Sequence, residues 1–167
     1  MQDTTEQSRN IEKLAELIKG IRIAMLTTTD TDGSLHSRPM ATQEAPFDGQ
    51  LWFLTGQSSH KVREIDRDHH VSLSYADPGD NCYVSVTGTA RLMKDRKKAE
   101  ELWSPLYKAW FPKGLDDPDL CVLNVKAERA EYWDSPSSAV VHLIGFVKAT
   151  LTGQPANPGE HGALHLF

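Results

Sequence analysis

The chain has 167 residues, 39% of them hydrophobic and 25% charged, which indicates one soluble globular domain over residues 1–167. Its formal net charge of −5 argues against nucleic acid as a partner, so any anion site has to be local. No apolar run is long enough to span a membrane, and the first residues lack the apolar core of a signal peptide. With Cys82 and Cys121 in neither a zinc nor a disulfide pattern, we expect a cytoplasmic protein with reduced thiols.

The first half of the chain predicts a helix followed by short antiparallel strands. In "QSRNIEKLAELIKG" the apolar residues share one stripe, with Ser8 or Asn10 as a cap and Gly20 as the stop. The turn "DTDG" between "IRIAMLTTT" and "SLHSRPMATQ" predicts a hairpin, and the turn "PFDGQ" leads into the strand "LWFLT". The polar stretch "SSHKVREIDRD" then predicts a short helix.

The second half continues with alternating strands, "HVSLSYADPGD" and "NCYVSVTGTARLM". A helical segment capped by Asp95 and interrupted at Pro105 precedes "CVLNVKAERAEYWD", the last long strand. The length of "SSAVVHLIGFVKATLTG" favours a helix, while residues 1–5 and 153–167 are expected to be flexible or irregular ends. The fold class predicted is mainly β (α+β): a closed or nearly closed antiparallel barrel with flanking helices.

A candidate anion site lies in "TGQSSHKVREI", where a strand passes into a helix. Thr55, Ser58 and Ser59 offer hydroxyl donors, the helix start adds N–H groups, and Lys61 adds a positive charge. Arg38 in the neighbouring hairpin strand could grip the same anion through two donors. The alternative interpretation is that Ser58 is only an N-cap and Lys61 a solvated helix residue.

The aromatic residues suggest a flat ligand or a large aromatic interface, since the chain has four tryptophans. Trp110 and Phe111 stand out, because the helix breaks directly after them. We predict no metal site: His69 and His70 would face opposite sides of a strand, and the aspartates of "GLDDPDL" suit turns and caps. His161 and His165 lie in the Gly- and Pro-rich tail, and no side chain stands out as a general acid or base.

Five segments of the sequence, in this order, carry a family resemblance: "DGSLHSRPM", "LWFLTGQSSHKVREI", "YVSVTGTARL", "ELWSPLYKAWFPKGLDDPDL" and "ERAEYWDSP". They resemble the general stress protein branch of the pyridoxamine 5′-phosphate oxidase-like proteins, over roughly residues 6–160. Members of that family are FMN-binding split β-barrels that act as homodimers, with cofactor sites at the subunit interface. The resemblance therefore implies a homodimeric split β-barrel that binds FMN, with FAD left open.

The resemblance also implies which residues hold the cofactor. The phosphate is expected between Arg38 and the Ser59-His60-Lys61 motif, with Thr55 and Ser58 at the same end. Four residues are expected to wall or edge the flavin ring: Met40, Trp52, Phe53 and Leu54. Three more are expected to cover it from the second subunit: Trp110, Phe111 and Trp133.

Two departures from the family pattern bear on the activity. True pyridoxamine phosphate oxidases usually have arginine where this chain has His60, and they follow the tryptophan with an arginine-containing run that grips the substrate phosphate. Here Trp133 is followed by "DSPSSAVVHLIG", which contains no arginine. We therefore expect no vitamin B6 oxidation. The function expected is a flavin-dependent oxidoreductase acting on another small molecule, and the alternative is a non-enzymatic flavin-binding, storage or sensing module.

Overall fold

The computed structural model describes residues 2–43, 46–135 and 159–167. The segment "SSAVVHLIGFVKATLTG", for which a helix was expected, lies outside these residues. The helices are α1 (Gln2–Ile18), α2 (His60–Arg67) and α3 (Arg96–Leu102), and short 3-10 helices cover Pro105–Ala109 and Gly114–Asp116. The strands are β1 (Ile23–Thr29), β2 (Leu35–Ala41), β3 (Gln50–Gly56), β4 (His70–Asp77), β5 (Cys82–Met93), β6 (Leu120–Asp134) and β7 (Glu160–His165).

All the strands pair antiparallel in one sheet of order β2-β1-β4-β5-β6-β3, with β7 added to β6. The long strand β6 pairs with β5 along one edge; its other edge pairs first with β3 and then with β7. A bulge between Thr87 and Gly88 lies where β6 changes partner. A Cβ at Gly88 would come within 2.0 Å of the Lys126 carbonyl oxygen, so glycine is required at this close approach.

The hairpin of β1 and β2 is confirmed at the predicted "DTDG" turn. Gly33 adopts φ +83°, which residues with a Cβ rarely do, and the Asp30 N–H donates to the Ser34 carbonyl at 2.8 Å. In the register of this hairpin Arg38 faces Leu26, and His36 faces Thr28. These two side chains of β2 are thereby placed beside the strand that α2 packs against.

The main core fills the barrel and is closed on one side by α1, through Leu14 and Leu17. A second, smaller cluster lies between β3, β6 and α3, and contains Leu54, Leu102 and Phe111. The two end strands of the sheet order, β2 and β3, contact each other, so the sheet curls round on itself. The predicted mainly β, antiparallel barrel with flanking helices is confirmed. No helix among the described residues has the length and hydropathy that a membrane crossing requires.

The chain ends differ from the irregular ends that were expected. Helix α1 begins at Gln2, so Ser8 lies inside it and its hydroxyl donates to the Thr4 carbonyl at 2.9 Å. The prediction for residues 153–167 is wrong for Glu160–His165, which form β7 on β6. The physical reason is burial: Leu164 and Leu166 alternate into the core, at 8% and 0% exposure, despite the Gly- and Pro-rich sequence before them.

Candidate functional site

Helix α2 begins at the predicted strand-to-helix junction, and its first residues carry the candidate anion site. The N-cap is Ser59 rather than Ser58, with extended backbone at φ −68° and ψ 150°. The Ser59 side chain makes no capping hydrogen bond, and its buried Oγ has no partner among the described residues. A buried hydroxyl without a partner carries a desolvation cost, so this atom is suited to bind a ligand.

Lys61, two residues further on, is half-buried and lies against β3. Its Nζ donates to Thr55 Oγ1 at 2.9 Å, and it forms no ion pair with a carboxylate in the described part of the chain. Burial lowers the pKa of Lys61, and the Arg38 charge nearby lowers it further. Burial raises the pKa of the Cys121 thiol to about 11, so this neighbour brings no negative charge at neutral pH. We name Thr55, Ser59 and Lys61 the Lys61 cluster.

Ser58, in contrast, is already engaged by a carboxylate. Its N–H donates to Asp119 Oδ1 at 2.7 Å, and its hydroxyl donates to Asp119 Oδ2 at 3.0 Å. The Gln57 N–H adds a bond to the Asp119 carbonyl at 2.7 Å. Asp119 thus fixes the loop before α2, and Ser58 has fewer donors left for an outside anion.

Arg38 contacts Glu64, which lies three residues after Lys61 on α2, is 2% exposed and is in contact with four side chains. Glu64 Oε2 accepts from Thr28 Oγ1 at 2.5 Å and from Arg38 Nη2 at 2.7 Å. Its Oε1 lies 2.8 Å from His36 Nδ1 and 3.0 Å from His60 Nδ1. Arg38 Nη1 also donates to Thr28 Oγ1. We name these five residues the Glu64 cluster.

The ionisation of Glu64 follows from these contacts. Burial by itself raises the pKa of Glu64, but hydrogen bonds from Thr28, His36 and Arg38, together with the Arg38 charge, lower it to about 2. Glu64 is therefore a carboxylate at neutral pH, and it neutralises much of the Arg38 charge. Arg38 lies near Lys61, as expected, but it reaches an anion only as a partner shared with Glu64.

Sequence analysis missed Glu64 and His36 as members of the site. A signal for half of the group was present, since His60 and Glu64 are four residues apart and such residues share one face of a helix. The link to His36 and Arg38 bridges 28 and 26 residues and depends on how α2 packs on the hairpin. Spacing along the chain carries no information about that packing.

The residues expected to wall the ring have unequal exposure. Phe53 and Met40 are buried in the main core at 1% and 6% exposure, and Leu54 is buried in the second cluster at 8%. Trp52 is partly buried, and Lys98 Nζ lies 4.8 Å from its ring centroid. A ligand beside β3 would therefore contact mainly the strand backbone and the edge of Trp52.

The residues expected to cover the ring lie in three settings. Trp110 is 71% exposed at the end of a 3-10 helix, whereas its neighbour Phe111 is buried in the second cluster. Trp133 is 43% exposed on β6 and stacks on His161, with ring centroids 5.0 Å apart. Across the strands Trp133 faces Tyr83, which is also exposed, so aromatic surface continues from β6 to β5.

Taken together, the described residues place a buried hydroxyl, a hydroxyl-bound ammonium and a helix start within one short segment. Each of these groups donates hydrogen bonds, and such a set of donors suits an oxyanion such as a phosphate. A general acid or base is not apparent among them, because serine and threonine hydroxyls ionise poorly and the Lys61 ammonium donates to Thr55 Oγ1. The arrangement can hold and orient a phosphorylated ligand.

Comparisons with known proteins found a matching family model, a similar protein and similar solved structures. The family model described as pyridoxamine 5′-phosphate oxidase like matches residues 9–157. Protein bli-3 of Neurospora crassa is 30% identical over 158 residues, covering 89% of this chain and 76% of that protein. A structure from Jannaschia sp. CCS1, provisionally named general stress protein 26, matches with a TM-score of 0.74 and 25% identity, over 99% of both chains. The general stress FMN/FAD binding protein of Xanthomonas citri has a TM-score of 0.66 and 29% identity, over 78% of this chain and 92% of that one.

Proposed function

The chain belongs to the pyridoxamine 5′-phosphate oxidase-like family, and from this premise we propose that it binds FMN with the phosphate on the Lys61 cluster. The observation that carries the proposal is the buried Ser59 hydroxyl, which has no partner within residues 2–43, 46–135 and 159–167, at the start of the helix that bears Lys61. A phosphate oxygen would accept a hydrogen bond from that hydroxyl, and the phosphate would be the counter-ion of the Lys61 ammonium. The printed name of the Xanthomonas citri relative, an FMN/FAD binding protein, supports a flavin as the ligand.

Arg38 has a secondary role in this proposal. Its guanidinium already contacts Glu64 and Thr28, so it adds positive potential near the phosphate and keeps a fixed orientation. The ring would lie along β3, where Thr55 marks the phosphate end and Trp52 the edge. FMN fits this site better than riboflavin, because riboflavin lacks the phosphate that the cluster is suited to hold.

We propose further that two copies of the chain associate and complete the site. The support is an exposed apolar surface on β1, β5 and β6, to which Ile23, Met25, Tyr83 and Trp133 contribute at 39–52% exposure. Exposed apolar patches of this kind mark interaction surfaces. A second copy on this face would bury Trp133, and the flavin ring would gain the cover that the chain's own residues give only in part.

The chemistry would come from the flavin, which transfers electrons or hydride when it is bound. This chain's residues would anchor the phosphate, hold the ring along β3 and exclude water through the second copy. The substrate is a small molecule other than pyridoxamine phosphate, because the stretch after Trp133 lacks the arginines that would grip a second phosphate. The function that we propose is an FMN-dependent oxidoreductase of general stress protein type.

One observation favours a second candidate, a flavin-binding storage or sensing module. Among the described residues the Lys61 cluster consists of hydrogen-bond donors, and the nearby Glu64 carboxylate is already bonded to Thr28, His36 and Arg38. A turnover assay separates the two functions. Bound flavin is reduced by a nicotinamide, and acceptors are tested for reoxidation faster than that of FMN in solution. Acceleration by any acceptor supports the oxidoreductase, whereas none across a broad set supports the module.

The binding proposal is tested by titrating the purified flavin-free protein with FMN, riboflavin and FAD while fluorescence is followed. Tight FMN binding with much weaker riboflavin binding is expected, because only FMN presents a terminal phosphate to Lys61. Equal affinities for FMN and riboflavin would contradict a phosphate-anchored site. Sedimentation at several concentrations gives the oligomeric state in the same samples.

A point mutation tests the site itself. Lys61→Ala is expected to weaken FMN binding by about 1.5–3 kcal/mol, or roughly 10- to 150-fold, because a charge-assisted hydrogen bond is lost. Riboflavin affinity should change little. Lys97→Ala, which removes an exposed lysine from α3, is the matched control and should leave both affinities unchanged. FMN affinity of Lys61→Ala equal to that of the control would place the phosphate elsewhere.

A further inference from the structure

We propose that Asp30, His36, His60 and Glu64 form a binding site for a divalent transition-metal ion, with Zn²⁺ the ion that suits them best. Each residue offers one ligand atom, and these four atoms lie within 4.8 Å of one another. Two imidazole nitrogens and two carboxylate oxygens are donors typical of zinc, whereas Mg²⁺ and Ca²⁺ prefer oxygen alone. The inference does not rest on the proposed flavin function.

The fold itself brings the four donors together. His60 and Glu64 lie one turn apart on the same face of α2, four residues apart in sequence. His36 stands on β2, and Asp30 directly follows β1, at the turn of the same hairpin. Because α2 packs on β1, His60 and Glu64 on the helix lie next to Asp30 and His36 on the hairpin.

The distances between the donors suit one small ion. Glu64 Oε1 lies 2.8 Å from His36 Nδ1 and 3.0 Å from His60 Nδ1, and Asp30 Oδ2 lies 3.7 Å from His36 Nδ1. Bonds of about 2.0–2.2 Å to zinc place tetrahedral ligand atoms about 3.3–3.6 Å apart. The observed spacing scatters around that value, so shifts of a few tenths of an ångström to about 1 Å would complete the coordination.

The outer oxygen of each carboxylate is held by other groups, which leaves the inner oxygen facing the histidines. Glu64 Oε2 accepts from Thr28 and Arg38, so Oε1 faces the two imidazoles. Asp30 Oδ1 accepts from the Thr31 N–H at 2.5 Å, so Oδ2 faces His36. Hydrogen bonds of this kind orient metal ligands and are a regular part of zinc sites.

Charge and access set the expected strength of binding. Arg38 lies against Glu64, and Arg67 Nη1 lies 3.9 Å from Asp30 Oδ1, so two cations partly offset the two carboxylates. We therefore expect weaker binding than at a closed structural zinc site. The two histidine side chains are 44% and 55% exposed, which gives an ion a route from solvent.

The test is a calorimetric titration of the purified, chelator-treated full chain with Zn²⁺, in the absence of flavin. We expect one ion per chain. His36→Asn and His60→Asn should each weaken binding by at least the roughly 10- to 100-fold that the loss of an outer-shell partner costs. Both histidines are exposed enough for these variants to fold, and thermal unfolding of the metal-free variants checks this. Cobalt(II) supplies a second readout, since tetrahedral coordination gives a strong visible spectrum.

His70→Asn is the matched control. His70 is 81% exposed and its Nδ1 lies 2.8 Å from the Asp68 carboxylate, so it is a histidine–carboxylate pair outside the proposed site. Unchanged Zn²⁺ affinity in this variant, with loss in the other two, supports the site. The proposal is overturned if the parent chain binds no zinc, or if His36→Asn and His60→Asn bind it as the parent does. Loss of binding only in His70→Asn also overturns it.

Discussion

Helix α2 carries two polar clusters within two turns, and they differ in how well their groups are paired. In the Glu64 cluster both carboxylate oxygens and two Arg38 nitrogens are hydrogen-bonded. In the Lys61 cluster the ammonium has only the Thr55 hydroxyl, and the buried Ser59 hydroxyl has no partner among the described residues. Paired groups hold a fold together, whereas buried donors without acceptors stand ready for a ligand. The difference indicates that the Glu64 cluster stabilises the fold even without a ligand, whereas the Lys61 cluster leaves donors that suit an anion.

The largest effect should come from breaking the paired cluster. Glu64→Gln leaves the Arg38 guanidinium, whose side chain is 20% exposed, without its counter-charge. We expect a loss of about 3 kcal/mol in the free energy of unfolding, the lower end for a buried pair, measured by urea denaturation of metal- and flavin-free protein. Lys61→Met is the counterpart on the other cluster and should leave stability unchanged or raised, because burial disfavours its charge. Equal losses in the two variants would remove the distinction.

A smaller effect is expected at Ser59, with opposite signs for stability and binding. Ser59→Ala removes a buried hydroxyl that has no partner in the described part of the chain, so the free energy of unfolding of the flavin-free protein should rise by about 1 kcal/mol. The same change should weaken FMN binding by about 1.5 kcal/mol, because a hydrogen bond to the phosphate is lost. Thermal denaturation and fluorescence titration measure the two quantities.

Ser58→Ala is the matched control, since the Ser58 hydroxyl is bound to Asp119. Its FMN affinity should stay close to that of the parent chain. A larger loss of FMN affinity in Ser58→Ala than in Ser59→Ala would show that the phosphate binds at the loop before α2 rather than at the helix start.

The smallest effect is a pH dependence of binding. Burial, and then the Arg38 charge, lower the pKa of Lys61 from its ordinary 10.5, so Lys61 loses its proton at a lower pH than a solvated lysine. FMN affinity should therefore fall relative to riboflavin affinity as the pH rises toward 10.5. Lys61→Arg keeps its charge and should give a flat ratio of the two affinities.

The unliganded protein should show the opposite trend. Between the lowered pKa and 10.5 the unfolded chain binds more protons at Lys61 than the folded chain does, so this residue makes stability rise with pH. The contrary result is that stability and FMN affinity both fall as the pH rises, and that both falls are absent in Lys61→Arg. That result would contradict the assignment of Lys61 as a half-buried cation that binds an anion.

Local patterns in the sequence predicted much of this arrangement. The "DTDG" hairpin, the Asp95 cap of α3 and the start of α2 all depend on neighbours within a few residues, and the structure confirms them. The strand-to-helix junction with Ser59 and Lys61 was visible in the sequence for the same reason. Strand β7 was missed because Leu164, and Leu166 just after the strand, follow a Gly- and Pro-rich stretch that resembles a loop.

What could not be predicted depends on contacts between distant parts of the chain. Asp119 reaches Ser58 across 61 residues, and Arg38 reaches Glu64 across 26. Each contact engages a side chain, Ser58 or Arg38, that the sequence analysis expected to bind phosphate. The choice between Ser58 and Ser59, and the shared role of Arg38, follow only once α2 is placed on the barrel.

Strands β2 and β3 stand at the two ends of the sheet order and meet only because the barrel curls shut. Thr55, the partner of Lys61, lies on β3, while Arg38 lies on β2, so a phosphate attracted by both would lie across this seam. A ligand in that position would hold β2 and β3 together. The seam could not open without releasing it, while β4 and β5 in the middle of the sheet would fluctuate as before.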